Sequence, residues 1–321
     1  MKTTNTNSNV ARSKGKGKSK NETVKSRIQE VLNAIGGGFN DFIFSIRTGM
    51  LFDAQKQTKL KPQHYNNIVN YYNNNKLVIF VERNENTVIH ERVFEAVMEL
   101  GELKNNNGKD TLIINNLYQL KKLAGINVKK RDSDILKIID DISKIHVRID
   151  KVSDDGKRVF FLTFRFLGSV IGIIEKPDEK AKGLEIALDA RFVDAIKHLS
   201  KIKMDRETMY YINTHVKSAY TERIIKHFII QQKPQTFKGN GFWGLLMTIC
   251  DIPMLNKNDE VEYKIEKLSR KQKWIITNEI AVESQLLAQF GIKFDKKNLK
   301  LEYNPAENMH KYAVLIGYSE V

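Results

Sequence analysis

The feature of this sequence that most constrains its fold is an Asp-Gly turn between two segments of alternating polarity, placed directly after three helical patterns. Asp155 and Gly156 lie between the segments 146–150 and 159–166. Alternation on both sides of such a turn is typical of a β-hairpin. Three helices followed by a hairpin predict a winged helix over residues 86–170, in which the hairpin covers the apolar side of the helices.

The three helices are indicated by apolar spacing and by their end signals. Apolar residues recur at helical spacing from Val88 to Leu100 and from Leu117 to Ala124, where Gly125 stops the second helix. The third helix is predicted to begin at Asp132 or Ser133, because either side chain can accept a hydrogen bond from the free amides of the first turn.

The order of helices followed by a hairpin recurs in the second half of the chain. In sequence order we predict a strand at 183–188, a short helix at 191–199, a long helix at 216–232, an apolar helix at 242–249, a helix at 269–290, and a hairpin formed by 292–303 and 311–318. Pro234 ends the long helix, Gly291 ends the last one, and Asn304 and Pro305 lie in the hairpin turn. The sequence therefore predicts an α+β protein with two tandem winged-helix domains, each a helix-turn-helix with a β-hairpin wing.

Two domains also fit the length of 321 residues, since one domain typically has about 100 to 200. We predict a disordered basic tail at 1–27, an N-terminal extension at 28–85, a first winged-helix domain at 86–182 and a second at 183–321. The tail has cations among Asn, Ser, Thr and Gly and almost nothing to bury. It fits a solubilising extension as well as an arm that binds phosphates.

The charge balance favours nucleic acid as the partner. The net charge of +15, from 53 Lys and Arg against 38 Asp and Glu, creates a positive potential that attracts polyanions. Charge alone also permits an anionic membrane surface or an acidic protein. The lone cysteine, Cys250, and the lack of a signal peptide or a membrane-spanning apolar stretch predict a cytoplasmic protein.

Residues 217–226 resemble the plasmid replication-initiator (Rep) family, whose members have two winged-helix domains and bind repeated origin sequences called iterons. The family pattern is close to Lys-Ser-x-Tyr-x-x-Arg-Leu-Tyr-Glu, and the matching residues here are Lys217, Ser218, Tyr220 and Arg223. Ile225 and Lys226 stand where the family has an aromatic and an acidic residue. A second likeness is the basic, aromatic-containing stretch 270–276, which in relatives begins the recognition helix.

The resemblance implies a function in plasmid DNA replication. It implies that double-stranded DNA is bound at origin repeats, that an adjacent A·T-rich segment is opened, and that host replication proteins, an initiator and a helicase, are recruited. It also implies that the first domain forms a homodimer that represses its own gene, whereas monomers initiate replication. Opening is easier in A·T-rich DNA because its steps stack weakly and deform at low cost.

The candidate DNA-binding residues lie mainly in the first turns of the helix at 269–290. Arg270, Lys271 and Lys273 suit phosphates, Arg270 also suits guanine, and Thr277 and Asn278 are short enough to reach bases. A solvated helix face is the alternative interpretation of this charge run.

Other candidates lie outside that helix. Lys217 and Arg223 are predicted as surface cations that touch phosphate, and Ser218 beside them is a further candidate for DNA contact. Tyr220 fits DNA contact or the core, as does Trp274, for which we favour the core. In the first domain the cations that flank the helix-turn-helix suit a second stretch of groove, although an exposed lysine-rich loop explains them nearly as well. These are Lys121, Lys122, Lys129, Lys130 and Arg131.

Nothing in the sequence indicates an enzyme, a metal or another cofactor. Gly17-Lys18-Ser19 lacks the glycine that a phosphate-binding loop needs at position 12, and the seven histidines include no close pair. The rival interpretations are a winged-helix transcriptional regulator, which never opens its operator, and a DNA nickase or nuclease.

Overall fold

The computed structural model describes most of the chain from residue 64 onward. The described residues are 64–72, 75–83, 88–106, 109–153, 155–175, 180–190, 192–193, 201–229, 231, 233–250, 254–255, 261–263, 265–310 and 313–316. The predicted tail at 1–27 and most of the predicted extension lie outside these ranges.

The described chain is a mixed α+β structure. Its helices are α1 (Val88–Leu100), α2 (Leu117–Leu123), α3 (Asp132–Ser143), α4 (Arg206–His215), α5 (Ala219–Ile229), α6 (Asn240–Cys250), α7 (Arg270–Val282) and α8 (Ser284–Gln289), with a 3-10 turn at Ile265–Lys267. Its strands are β1 (His64–Tyr72), β2 (Asn75–Arg83), β3 (Glu102–Asn106), β4 (Lys109–Ile114), β5 (His146–Val152), β6 (Val159–Arg165), β7 (Leu167–Glu175), β8 (Lys180–Leu188), β9 (Lys201–Met204), β10 (Gln235–Lys238), β11 (Met254–Leu255), β12 (Val261–Glu262), β13 (Phe290–Asp295), β14 (Lys300–Asn308) and β15 (Ala313–Ile316).

The predicted hairpin at 146–166 forms as β5 and β6, but it does not complete the sheet of the first helices. Gly156 takes φ +68 in its turn, and β5 pairs with β2 within a six-stranded sheet of order β12-β11-β1-β2-β5-β6. The sheet that contains β4 has the order β3-β4-β8-β7, so β4 pairs with β8 and not with the hairpin. Strand β6 still places Phe164 in the core beside the helices, as the predicted hairpin should, whereas its strand pairing depends on distant segments.

The predicted domain boundary at residue 183 falls inside β8 and needs correction. Leu184 and Ile186 are buried in the first core, beside Ile114 of β4 and Phe166. Helix α4, which the sequence did not predict, follows and joins the two cores, with Met209 in the first and Ile212 in the second.

In the second half, β10, β14 and β13 form a three-stranded sheet in that order. The hairpin turn lies at 296–299, whereas Asn304 and Pro305, predicted in the turn, lie within β14. The segment predicted as the returning strand forms β15 and pairs with β9. The turn forms at 296–299 because the Asp295 carboxylate accepts hydrogen bonds from the amides of Lys297 (2.9 Å) and Asn298 (3.2 Å).

The turn after α2 packs closely against α4. Gly125 takes φ +66, and a Cβ there would lie 2.1 Å from the Asn213 carbonyl oxygen. Asn213 also donates a hydrogen bond from Nδ2 to the Leu123 carbonyl (2.8 Å). Gly125, predicted to end the helix, is therefore also required by the packing of α4, because any side chain at this position would collide with the Asn213 backbone.

Buried charges join α1 to α5. Six side chains form this ion-pair cluster: Glu91, Arg92 and Glu95 of α1, and Glu222, Arg223 and Lys226 of α5. Arg223 is 2% exposed, and its Nη1 and Nη2 lie 2.9 and 2.7 Å from the two carboxylate oxygens of Glu91. This ion pair is buried between helices that are more than a hundred residues apart in sequence.

The other members complete the charge balance of the ion-pair cluster. Arg92 donates to Glu222 Oε2 from Nε (3.0 Å) and Nη2 (2.6 Å) and also to the Asn213 carbonyl. Lys226 Nζ lies 2.8 Å from both Glu95 and Glu222. Three cations face three carboxylates, so the cluster is neutral when all six are ionised.

The carboxylates of the cluster differ in acidity. Burial raises the pKa of Glu95 to about 7, because Lys226, its ion partner, only partly offsets the loss of water and the neighbouring Glu91 opposes ionisation. Burial acts in the same direction on Glu222, but Lys226 and Arg92 outweigh it and lower its pKa to about 2.

We expect Arg223→Ala to lower the free energy of unfolding by about 3 to 5 kcal/mol, because it leaves the Glu91 carboxylate buried without its main partner. A matched control is Arg206→Ala, which removes an exposed pair to Glu99 of α1 (2.8 Å) and should cost about 1 kcal/mol or less. Urea titration measures both, and equal losses would contradict the importance of the buried pair.

Glu95 gives stability a defined pH dependence. Because its pKa is raised in the folded protein, the folded state binds a proton that the unfolded chain has released between pH 4.5 and about 7. The free energy of unfolding, relative to that of Glu95→Gln, should fall as pH rises through this window and level off above it. Urea titrations of both proteins at a series of pH values test this, and a parallel course of the two curves would refute it.

Candidate nucleic-acid interface

Helix α7 begins where its cations are predicted to act. Ser269 Oγ accepts a hydrogen bond from the Gln272 amide (3.3 Å), and Gln272 Oε1 accepts one from the Ser269 amide (2.9 Å). This capping box fixes Arg270 as the first helical residue. Arg270 and Lys271 are exposed, and Lys273 is half-buried with Nζ 5.3 Å from the ring centre of Trp243. The predicted cations therefore lie together in the first turn.

The later candidates on α7 separate. Asn278 is half-exposed, and its Oδ1 accepts a hydrogen bond from Lys296 Nζ. Thr277 is 4% exposed, and its hydroxyl donates to the Trp274 carbonyl (2.9 Å). The prediction that Thr277 reaches bases is wrong, because its side chain faces the core beside Ile276.

Trp274 was predicted in the core, but it is 61% exposed. The buried face of α7 belongs to Ile276 and Ile280, and Trp274 lies on the opposite side. Lys296 Nζ lies 5.5 Å from its ring centre, within the range of a cation–π contact.

The hairpin turn beside α7 adds cations that the sequence analysis missed. Lys296 and Lys297 are exposed at the turn of β13 and β14. Lys293 and Lys300 on the strands are paired with Glu307 (2.8 Å) and Glu302 (2.6 Å). The sequence does contain a signal for this turn, the polar run Asp-Lys-Lys-Asn at 295–298 between two alternating segments. It was assigned to a strand because the turn was expected at Asn304 and Pro305.

The Lys217-Ser218 part of the family-like motif holds α7 in place. Glu283, where α7 ends, accepts hydrogen bonds from the amides of Lys217 (2.6 Å) and Ser218 (3.2 Å). The Ser218 hydroxyl donates to Glu279 (3.3 Å). The amides of Lys217 and Ser218 lie just before the first turn of α5. The free N–H groups at a helix start attract negative charge, so this position favours the Glu283 carboxylate. Ser218 is buried, so its predicted DNA contact is corrected, whereas the Lys217 side chain is exposed.

Two further motif residues are internal. Tyr220 is 8% exposed and lies in the second core. Arg223 belongs to the ion-pair cluster and cannot reach a phosphate without breaking its bond to Glu91. The phosphate contact predicted for Arg223 is therefore wrong, and Tyr220 takes the core position that the sequence allowed as an alternative.

The first-unit candidates also divide. Lys121 is buried, with Nζ 2.5 Å from Asp132 Oδ1 and 2.5 Å from the Lys130 carbonyl, so it fastens the α2–α3 connection and its predicted DNA contact is wrong. The remaining four candidates are exposed along that connection: Lys122, Lys129, Lys130 and Arg131.

The exposed faces of α3 and α7 differ in charge. Residues 270–278 of α7 contain three cations and no carboxylate. Helix α3 carries Asp132, Asp134, Asp140 and Asp141, and Lys144 after its end is paired with Asp140 (2.5 Å). The start of α7 and the adjacent hairpin turn therefore form the more strongly cationic surface, which we call the α7 surface: Arg270, Lys271, Lys273, Asn278, Lys296 and Lys297.

Within the described ranges, no group of three or more His, Cys, Asp or Glu side chains is arranged to hold a metal ion. No helix in those ranges is both long and apolar enough to cross a bilayer.

Comparisons with known proteins show a likeness of fold. No protein-family model and no curated protein matches the chain. A crystal structure of domains 2 and 3 of RctB is similar, with a TM-score of 0.50 and 12% identity over 80% of this chain and 96% of that chain. A second structure of the same RctB domains gives a TM-score of 0.48 at 13% identity, over 81% of this chain and 98% of that chain. The chain thus shares its mixed α+β fold with the first of these structures.

Proposed function

We propose that this protein is a replication initiator that binds double-stranded DNA at origin repeats through two winged-helix units. The α7 surface carries the proposal, because it combines a cationic helix start with a cationic hairpin turn. RctB, whose domains 2 and 3 resemble this fold, is a replication initiator. That likeness supports an initiator role in general, and the iteron sites remain our proposal.

The order and pairing of elements support winged-helix units. The second unit runs α5, β10, α6, α7, β13, β14, with the sheet order β10-β14-β13. The first unit runs α1, β3, β4, α2, α3, β5, β6, β7, β8, and its sheet has the order β3-β4-β8-β7, in which β4, β8 and β7 correspond to β10, β14 and β13. In both units the last strand pairs with the strand that precedes the second helix, whereas the β5–β6 hairpin is an addition of the first unit between α3 and β7.

In the proposed complex, α7 lies in the major groove. Arg270 and Lys271 meet phosphates or guanine at the groove edge, Asn278 faces the bases, and Lys296 and Lys297 reach the neighbouring backbone. The exposed cations of the α2–α3 connection contact a second stretch of the same duplex. The ion-pair cluster sets the spacing between the two contacts.

The later steps belong to the same proposal. Binding at the repeats promotes opening of an adjacent A·T-rich segment, and host replication proteins, an initiator and a helicase, load there. A homodimer formed through the first unit binds its own promoter and represses it. The protein uses no cofactor and makes no covalent change in DNA.

Neutralising the hairpin turn should weaken binding in a salt-dependent way. For Lys297→Ala we expect the slope of log Kd against log salt to fall by about 1, because one fewer phosphate is neutralised. Lys144→Ala, which removes a lysine already paired with Asp140, is the matched control and should leave the slope unchanged. Fluorescence anisotropy on a selected duplex, at salt concentrations from about 50 to 200 mM, measures the slope for each protein. Equal slopes for wild type and Lys297→Ala would contradict a phosphate contact at Lys297.

Opening of DNA distinguishes an initiator from a transcriptional regulator. On supercoiled DNA that carries the selected repeats and an A·T-rich flank, we expect permanganate to modify thymines in the flank only when the protein is bound. A regulator would protect its repeats and leave the flank paired. The same supercoiled DNA, incubated with Mg²⁺ and analysed for relaxed product, tests the nickase interpretation, and relaxation would overturn the non-enzymatic proposal.

A further inference from the structure

The exposed face of α7 carries apolar side chains between its polar ones. Lys271, Ile275, Asn278 and Val282 follow one another at spacings of four, three and four residues, which places them on one stripe of the helix. Ile275 is 42% exposed and Val282 is 85% exposed. The core side of α7 is supplied by Ile276 and Ile280, and the stripe leaves apolar surface exposed to water.

The surroundings of the stripe indicate what can cover it. An open groove of about 1070 Å³ runs along Ile275 and Val282 and is also lined by Lys217. Glu279 and Glu283 line it too, and their carboxylates accept hydrogen bonds from the Ser218 hydroxyl and the Lys217 amide. Lys271 precedes the stripe, and Lys296 flanks it at Asn278. An apolar stripe edged by lysines is complementary to a polyanion that offers apolar groups between its charges.

The major groove of DNA is such a surface. Of the base edges that face it, only thymine presents a methyl group, and asparagine is the side chain that pairs with adenine through N6 and N7. Asn278 lies between Ile275 and Val282 along the stripe. Its Oδ1 bond to Lys296 leaves one lone pair on Oδ1 and both Nδ2 hydrogens available for a base.

We propose that Ile275 and Val282 recognise thymine methyl groups, with Asn278 reading an adenine between them, so that the α7 half-site consists of A·T pairs. This inference rests on the proposed binding of duplex DNA by α7. Seven residues of helix span about 10 Å, so the two thymines should lie about three base pairs apart at 3.4 Å per step.

The test removes one methyl group at a time from the DNA. Duplexes that the full-length protein selects from random DNA are remade with single thymines replaced by uracil, which deletes only the C5 methyl. At two positions we expect wild-type affinity to fall about 3- to 5-fold, from the loss of one buried methyl. Ile275→Ala should bind the thymine duplex more weakly and lose the difference between thymine and uracil at one of those positions, and Val282→Ala at the other.

Ile171→Ala is the matched control, since Ile171 is an exposed apolar residue (63%) on β7 of the first unit, and it should keep both differences. If a selected duplex binds tightly but no uracil substitution weakens binding, the methyl readout is wrong while the proposed function stands. If both α7 variants keep the wild-type discrimination, the assignment to this stripe is wrong. If no duplex is preferred over another, the proposed function itself fails.

Discussion

The relative placement of the two units depends on the ion-pair cluster between α1 and α5. Removing six charges from water is costly, and the cost is recovered only when each charge meets its partner at hydrogen-bond distance. A slide of one helix against the other would leave a cation such as Arg223 facing no carboxylate. An apolar interface would tolerate that slide better, since apolar contacts are not directional. The cluster thus favours one arrangement of α1 on α5.

Polar contacts connect this arrangement to helix α7. Arg92 is bonded to Glu222 within the cluster and to the carbonyls of Asn213 and Val216, which lie at the end of α4 and before α5. Glu283, at the end of α7, accepts from the amides of the next two residues before α5. The segment 213–218 between α4 and α5 therefore accepts contacts from both α1 and α7. The first unit is connected through it to the helix that is proposed to read bases.

Local signals in the sequence predicted the local structure, and distant pairings escaped them. The end of α2 followed from Gly125 and the β5–β6 hairpin from its Asp-Gly turn, because each signal acts within a few residues. Helix α3 begins at Asp132 as predicted, but its N-cap is Arg131 without a side-chain capping bond, and the Asp132 carboxylate pairs with Lys121. The partner strand of that hairpin and the burial of Arg223 depend on segments far along the chain. One pattern did hold information: α1 contains Glu-Arg-x-x-Glu at 91–95, and α5 contains Glu-Arg-x-x-Lys at 222–226. Each Glu-Arg pair is complementary to the other when the helices lie together.

The distribution of carboxylates makes the exposed surface of the second unit more cationic than that of the first. In the first unit Lys121 is neutralised internally by Asp132, and α3 carries four aspartates against one lysine. In the second unit the carboxylates near α7, Glu279 and Glu283, bond to residues before α5 and lie beyond its cationic first half. Because like charges near a phosphate raise the cost of contact, a duplex would approach α7 first. The first unit, held at fixed distance by the cluster, would add its exposed cations to a complex that α7 has already oriented.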